Sequence, residues 1–89
     1  MQEKIEKISS RLYASATPYR FKKEQRSFDK GYLKVNFWID ELCLESLEKD
    51  MHIQKSFDAR VDKLKRWLDT LQDSEYKEGM RQALSDAVY

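Results

Sequence analysis

QRSFDKGYLKVNFWIDEL, residues 25–42, and QKSFDARVDKLKRWLDTL, residues 54–71, align without a gap at an offset of 29. Eight of the eighteen pairs are identical: Gln25/Gln54, Ser27/Ser56, Phe28/Phe57, Asp29/Asp58, Lys34/Lys63, Trp38/Trp67, Asp40/Asp69 and Leu42/Leu71. Four more are conservative: Arg26/Lys55, Tyr32/Val61, Val35/Leu64 and Ile39/Leu68. Two amphipathic helices resemble each other because each must bring apolar residues to one face. That requirement asks neither for Ser-Phe-Asp at both starts nor for a tryptophan at the same phase in both. The matches favour a duplicated helical unit, and such units normally pack on each other.

Within the first unit Phe28, Tyr32, Val35, Ile39 and Leu42 recur at the 4-3-4-3 spacing of a helix lying along another helix. Phe57, Val61, Leu64, Leu68 and Leu71 repeat that spacing in the second. Ser27 reads as an N-cap, and Asp29 sits near the positive end of the helix dipole; Ser56 and Asp58 repeat the pair. Gly31 costs some helix propensity in the first turn but is tolerable there. No glycine or proline separates Gly31 from Gly79, so one long helix through both units is conceivable. The second Ser cap, and the lapse of the stripe at Ser46, Lys49 and Asp50, instead place a turn at about 50–54. The expectation is a central αα-hairpin of helices 27–50 and 56–72.

Ile5, Ile8 and Leu12 mark a first helix over 2–15, which Thr17-Pro18 is expected to end. Tyr19 and Phe21 are candidates to pin the connection to the core. Asp73-Ser74 offers a cap for a fourth helix over 74–88, with Tyr76, Met80, Ala83, Leu84 and Ala87 as its apolar positions. Two glycines and one proline leave almost none of the turn chemistry that hairpin strands require. Eleven aromatics among 89 residues argue against disorder despite a 37% charged fraction. The fold class is therefore all-α: a single domain, a small bundle of about four helices around a pseudo-symmetric central hairpin. Its core is modest, because a short chain buries a smaller share of its surface.

Catalytic and metal chemistry find little support. Cys43 is the only cysteine and His52 the only histidine, so one chain assembles neither a disulfide nor a Cys/His zinc set. Leu-Cys-Leu reads as a buried hydrophobe. No glycine-rich phosphate loop, nucleophile elbow or His-Glu-x-x-His pattern occurs. Asp40, Glu41, Glu45 and Glu48 lack the Glu-x-x-His companions of a helical carboxylate site, and Glu45 with Lys49 reads as an i,i+4 pair on a solvated face. The expectation is a non-enzymatic protein without cofactor or metal. No apolar run approaches the roughly 18 residues of a membrane span, which makes the cytoplasm the default compartment.

What remains points to association. The face of the second helix opposite its shared stripe carries Leu33, Phe37, Leu44 and Met51, where the aligned positions 29 residues on are Asp62, Arg66, Asp73 and Met80. A helix apolar on two faces must be covered on both. Either the first and fourth helices cover the second face, or another copy of the chain does, and symmetric homodimers are the commonest soluble oligomers. Trp38 and Trp67, at the edges of the two stripes, are candidate anchors for a partner or lids of the core. Charge is segregated along the second helix: residues 17–34 carry six basic residues against two acids, and residues 35–50 carry five acids against one lysine. The basic part interleaves Tyr19, Arg20, Lys22, Lys23 and Arg26 with Phe21, a pattern that can contact phosphates and stack on bases. A net charge of +1 and the acidic half of the same helix weigh against that use. The functional expectation is a small protein–protein interaction or assembly module, self-associating as a homodimer, with an accessory role in nucleic-acid binding as the alternative.

Overall fold

A computed structural model describes residues 2–48 and 57–88, and all four elements in them are α-helices: α1 (Gln2–Arg20), α2 (Ser27–Glu48), α3 (Phe57–Asp69) and α4 (Glu75–Val88). The all-α bundle expected from the apolar spacing is the fold that forms. The expected turn at 50–54, the Ser56 cap, Met51 and His52 lie outside the described residues.

Both expected stripes reach the core. Tyr32, Val35, Ile39, Phe57, Val61 and Leu68 are buried, and Phe28, Leu42, Leu64 and Leu71 are half-buried against them. From α1 come Ile5, Ile8, Leu12 and Ala16; from α4 come Met80, Ala83, Leu84 and Ala87. α3 runs antiparallel to α2. Trp38 meets Trp67 with ring centroids 5.6 Å apart, and Glu45 lies 3.8 Å from Arg60, so later residues of α2 face earlier residues of α3. On the other flank the buried Asn36 amide donates to the Leu12 carbonyl at 3.0 Å and fastens α1 to α2.

The most extensive pairing is α2 with α4 rather than α2 with α3. A Cβ added at Gly31 would stand 2.0 Å from the Tyr76 carbonyl oxygen, and one added at Gly79 would stand 1.9 Å from that of Phe28. Each glycine thus receives the backbone of the other helix, which no residue with a side chain permits. The relation is reciprocal, because both contacts join a glycine to the carbonyl three residues before its counterpart. Burial follows the same register: Asp29, Gly31, Tyr32, Val35, Asn36 and Ile39 in α2 correspond, 48 residues on, to Lys77, Gly79, Met80, Ala83, Leu84 and Ala87 in α4. The buried Ala83 and Ala87 of α4 stand at the register positions of Val35 and Ile39, while the Met80 side chain fills the space beside Gly31.

Two helix ends and one cap differ from the sequence expectation, while α2 starts at Ser27 as expected. α1 does not stop at Thr17-Pro18 but runs to Arg20. Pro18 has no N–H to give the Ala14 carbonyl, and a proline costs a helix interior about 3 kcal/mol, so other contacts must hold the added turn. The Thr17 hydroxyl donates to the Tyr13 carbonyl at 2.9 Å, and the added turn stacks Tyr19 on Tyr32 at 4.1 Å between centroids. The start of α2 is secured by Asp29 rather than by the Ser27 hydroxyl: the Asp29 carboxylate accepts the Arg26 N–H at 3.0 Å, while the Arg26 carbonyl accepts the first helical bond, from Lys30. α3 ends at Asp69, before residue 72. Its last turn tightens as the Thr70 and Leu71 N–H groups donate to the Trp67 and Leu68 carbonyls, and the Thr70 hydroxyl also donates to Trp67. The freed Leu71 carbonyl accepts the buried Lys77 ammonium at 2.7 Å. Ser74 caps α4 as its position suggests, its hydroxyl accepting the Lys77 N–H at 3.1 Å.

Candidate functional site

α2 is flanked by α1 and α3 and backed by α4, which leaves its front open. At 100° per residue, Leu33, Phe37 and Leu44 fall within one narrow strip opposite the buried Val35 and Ile39. Phe37 is 56% exposed and Leu44 47%, while Leu33 is half-buried. Phe37 and Leu44 are thus left open by α1 and α4 alike. Met51, the fourth residue expected on it, lies outside the described residues.

Among the described residues, one edge of the strip carries the exposed charge. Lys30, Lys34, Glu41 and Glu45 lie on the side that faces α3, with the lysines toward the start of the helix and the glutamates toward its end. Lys34 places its ammonium 5.5 Å from the Trp38 ring centre. Glu45 reaches Arg60 at 3.8 Å, a pair about half exposed on both sides, where water screens most of the attraction. The opposite edge is occupied by α1 through Asn36 and by the half-buried Asp40.

The two tryptophans touch edge to face, but they are not equivalent. Trp38 is half-buried against the core, while Trp67 is 44% exposed and continues the apolar surface beyond the charged edge. Of the two candidate anchors, Trp67 is the accessible one.

The basic segment is dispersed by its own contacts. Tyr19 stacks on Tyr32 and lies 6.1 Å from Phe28, so its ring is engaged in the bundle. Lys22 bonds Asp29 at 3.0 Å and lies over Tyr19, and Arg20 lies 5.8 Å above Tyr13. Lys23 and Arg26 are exposed. Phe21 does not pin the connection to the core: it is 78% exposed, because the helix ends one residue earlier and its register turns Tyr19 inward in its place.

Other features offer little chemistry. The groove between α3 and α4, about 360 Å³, is lined by Lys65, Leu68, Asp69, Arg81, Leu84 and Ser85, with Asp69 and Arg81 paired at 3.3 Å across it. Cys43 is buried, and desolvation pushes its thiol up to about 12, so it stays protonated and unreactive at neutral pH. Burial and the Asp86 carboxylate, which accepts the Tyr32 hydroxyl at 2.6 Å, raise the Tyr32 phenol well above its ordinary range. Among the described residues no group of three or more His, Cys, Asp or Glu is placed to hold a metal, and no helix is long and apolar enough to cross a membrane. The strip on α2 is therefore the surface with the most to offer a partner. No protein-family model, no curated protein and no solved structure matches this chain.

Proposed function

We propose that this chain is a non-catalytic, cytoplasmic assembly module that binds a second copy of itself through the outward strip of α2. The observation that carries the reading is the exposure of Phe37 and Leu44 on the helix that also organises the core. Covering the exposed halves of these side chains contributes about 1 kcal/mol each, or about 4 kcal/mol for the four in a symmetric pair. Association costs roughly 4–15 kcal/mol of rigid-body freedom. Apolar burial alone therefore supports only a weak dimer, and the charged edge beside the strip decides whether it forms. That edge is self-complementary, since one copy supplies both signs.

The test is the molar mass in solution by light scattering, from about 10 µM to about 1 mM, the range of weak interfaces. The protein should pass from monomer to dimer over that range, and Phe37→Glu should remain a folded monomer throughout. A wild-type protein that stays monomeric at the upper limit removes the reading.

A second reading, contact with nucleic acid, draws support from Phe21 exposed beside Lys23 and Arg26. It requires a salt-sensitive complex with single-stranded oligonucleotides that weakens in Lys23→Ala/Arg26→Ala. Absence of binding at low salt eliminates it.

A further inference from the structure

We infer that the two copies pair antiparallel along α2, with Leu33 of each against Leu44 of the other and the Lys30/Lys34 edge of each against the Glu41/Glu45 edge of the other. This rests on the self-association reading and specifies the partner's orientation.

The argument starts from the single charged edge. When two identical helices pack antiparallel about a two-fold axis, an edge of one adjoins the same edge of the other with its direction reversed. In a parallel pair, by contrast, an edge adjoins the opposite edge, and equal positions stand level. The strip sets the register. An axis passing midway between Leu33 and Leu44 brings each leucine opposite the other kind and leaves the two Phe37 rings offset by about 4.5 Å along the helix, at a rise of about 1.5 Å per residue. The same axis sets Lys34 level with position 43 of the other copy, midway between Glu41 and Glu45 and about 3 Å along the axis from each. Lys30 falls level with position 47, beyond Glu45 toward the acidic end. Opposite charges therefore meet twice, once at each end of the strip, as a two-fold interface requires.

A parallel pair loses this match. It stands Lys30 and Lys34 level with their own copies and Glu41 and Glu45 level with theirs. Its polar edge would also have to meet the flank of α2 that α1 already occupies through Asn36 and Leu12. Because apolar contact is marginal, the sign of the edge interaction selects the orientation.

Cysteine cross-linking under mild oxidation tests the geometry. Leu33→Cys and Leu44→Cys are prepared separately; the native Cys43 is buried and stays inert. In the antiparallel pair the two mutated positions of a single variant are about 16 Å apart along the helix, too far for a disulfide. Each variant alone should remain uncross-linked, and an equimolar mixture should give a covalent heterodimer. Self-cross-linking of Leu33→Cys alone establishes a parallel pair and overturns this inference while leaving self-association standing. A dimer by light scattering with no cross-link in the mixture overturns it as well, by placing the interface elsewhere. A monomer at all concentrations overturns both readings together. The charge argument has its own check. Lys30→Glu/Lys34→Glu should dimerise at least about tenfold more weakly than the parent, and adding Glu41→Lys/Glu45→Lys should restore the parent affinity. If the fourfold variant dimerises no better than the double one, edge pairing is not the selector and the inference fails.

Discussion

A methyl group at Gly31 has opposite predicted effects depending on whether the helix is considered alone or packed. In an isolated helix Gly→Ala gains about 1 kcal/mol of propensity, which is why Gly31 reads as a tolerable weakness. In the bundle the new carbon would lie 2.0 Å from the Tyr76 carbonyl, a backbone atom that cannot swing aside. Separation of α2 from α4 along their whole length is the only relief, so the steric term wins. Gly31→Ala and Gly79→Ala should each lower stability by more than about 3 kcal/mol, measured by urea denaturation. A stabilised Gly31→Ala would mean that the helices do not cross here. Asp29 works by charge. The Arg26 N–H, then the Lys22 ammonium, hold its carboxyl below the ordinary carboxylate range. A lowered folded pKa contributes stability that is complete above the unfolded value and is lost as pH falls through the folded one. Asp29→Asn should therefore be less stable than the parent near neutrality, and the difference should shrink between about pH 5 and about pH 2. Thermal unfolding of both proteins across that range checks it, and a constant difference would exclude the ionised carboxylate as the cause.

At the scale of elements, α2 is used on more of its circumference than any simple stripe predicts. Ile39 and Phe37, two residues apart, separate its two roles. Ile39 is buried in the core while Phe37 is 56% exposed. Ile39→Glu places an unpaired charge among Val35, Tyr32 and Cys43 and should unfold the protein, whereas Phe37→Glu should shift monomer stability by no more than about 0.5 kcal/mol. Circular dichroism on the two variants decides whether the strip belongs to the core or to the surface. The same contrast shows what was legible in the sequence. The stripes of α2 and α3 announce themselves through their 4-3-4-3 spacing, and all ten of their apolar residues reach the core. The outward strip was legible too, since Leu33, Phe37 and Leu44 have charged counterparts at the aligned positions of α3 and its C-terminal side. The α2–α4 crossing was not read, although it leaves a signal: the chain's only two glycines each follow an aromatic by three residues, Phe28 to Gly31 and Tyr76 to Gly79. Propensity treats a glycine as a defect of its own helix, so the partner it admits goes unseen. The end of α1 is hidden in the sequence for a related reason, because Pro18 speaks only for the local backbone and the stacking of Tyr19 on Tyr32 depends on a residue thirteen positions away. The same longer helix turns Tyr19 toward the core and leaves Phe21 on the surface.

For the whole molecule, association and stability are the same measurement. An 89-residue chain with a modest core has little free energy in reserve, so anything that binds only the folded state shows directly in its melting temperature. If two copies cover the α2 strip, the folded protomer is withdrawn into dimer as concentration rises. Well above the dissociation constant, free folded monomer grows only as the square root of total protein. Each tenfold increase in concentration then adds roughly 0.7 kcal/mol per protomer. A domain of this size melts about 4–8 °C higher for each 1 kcal/mol, so the parent's gain should grow with concentration and approach about 3–5 °C per tenfold step where dimer predominates. Phe37→Glu should melt at one temperature at every concentration, near the dilute limit of the parent. Salt separates the contributions: if the Lys34 and Glu41/Glu45 edges draw the copies together, raising ionic strength should flatten the parent's concentration dependence while leaving Phe37→Glu unmoved. A parent melting temperature independent of concentration would instead make the exposed strip a surface that the chain carries alone. Differential scanning calorimetry over two decades of concentration distinguishes these outcomes with no assumption about the geometry of the pair.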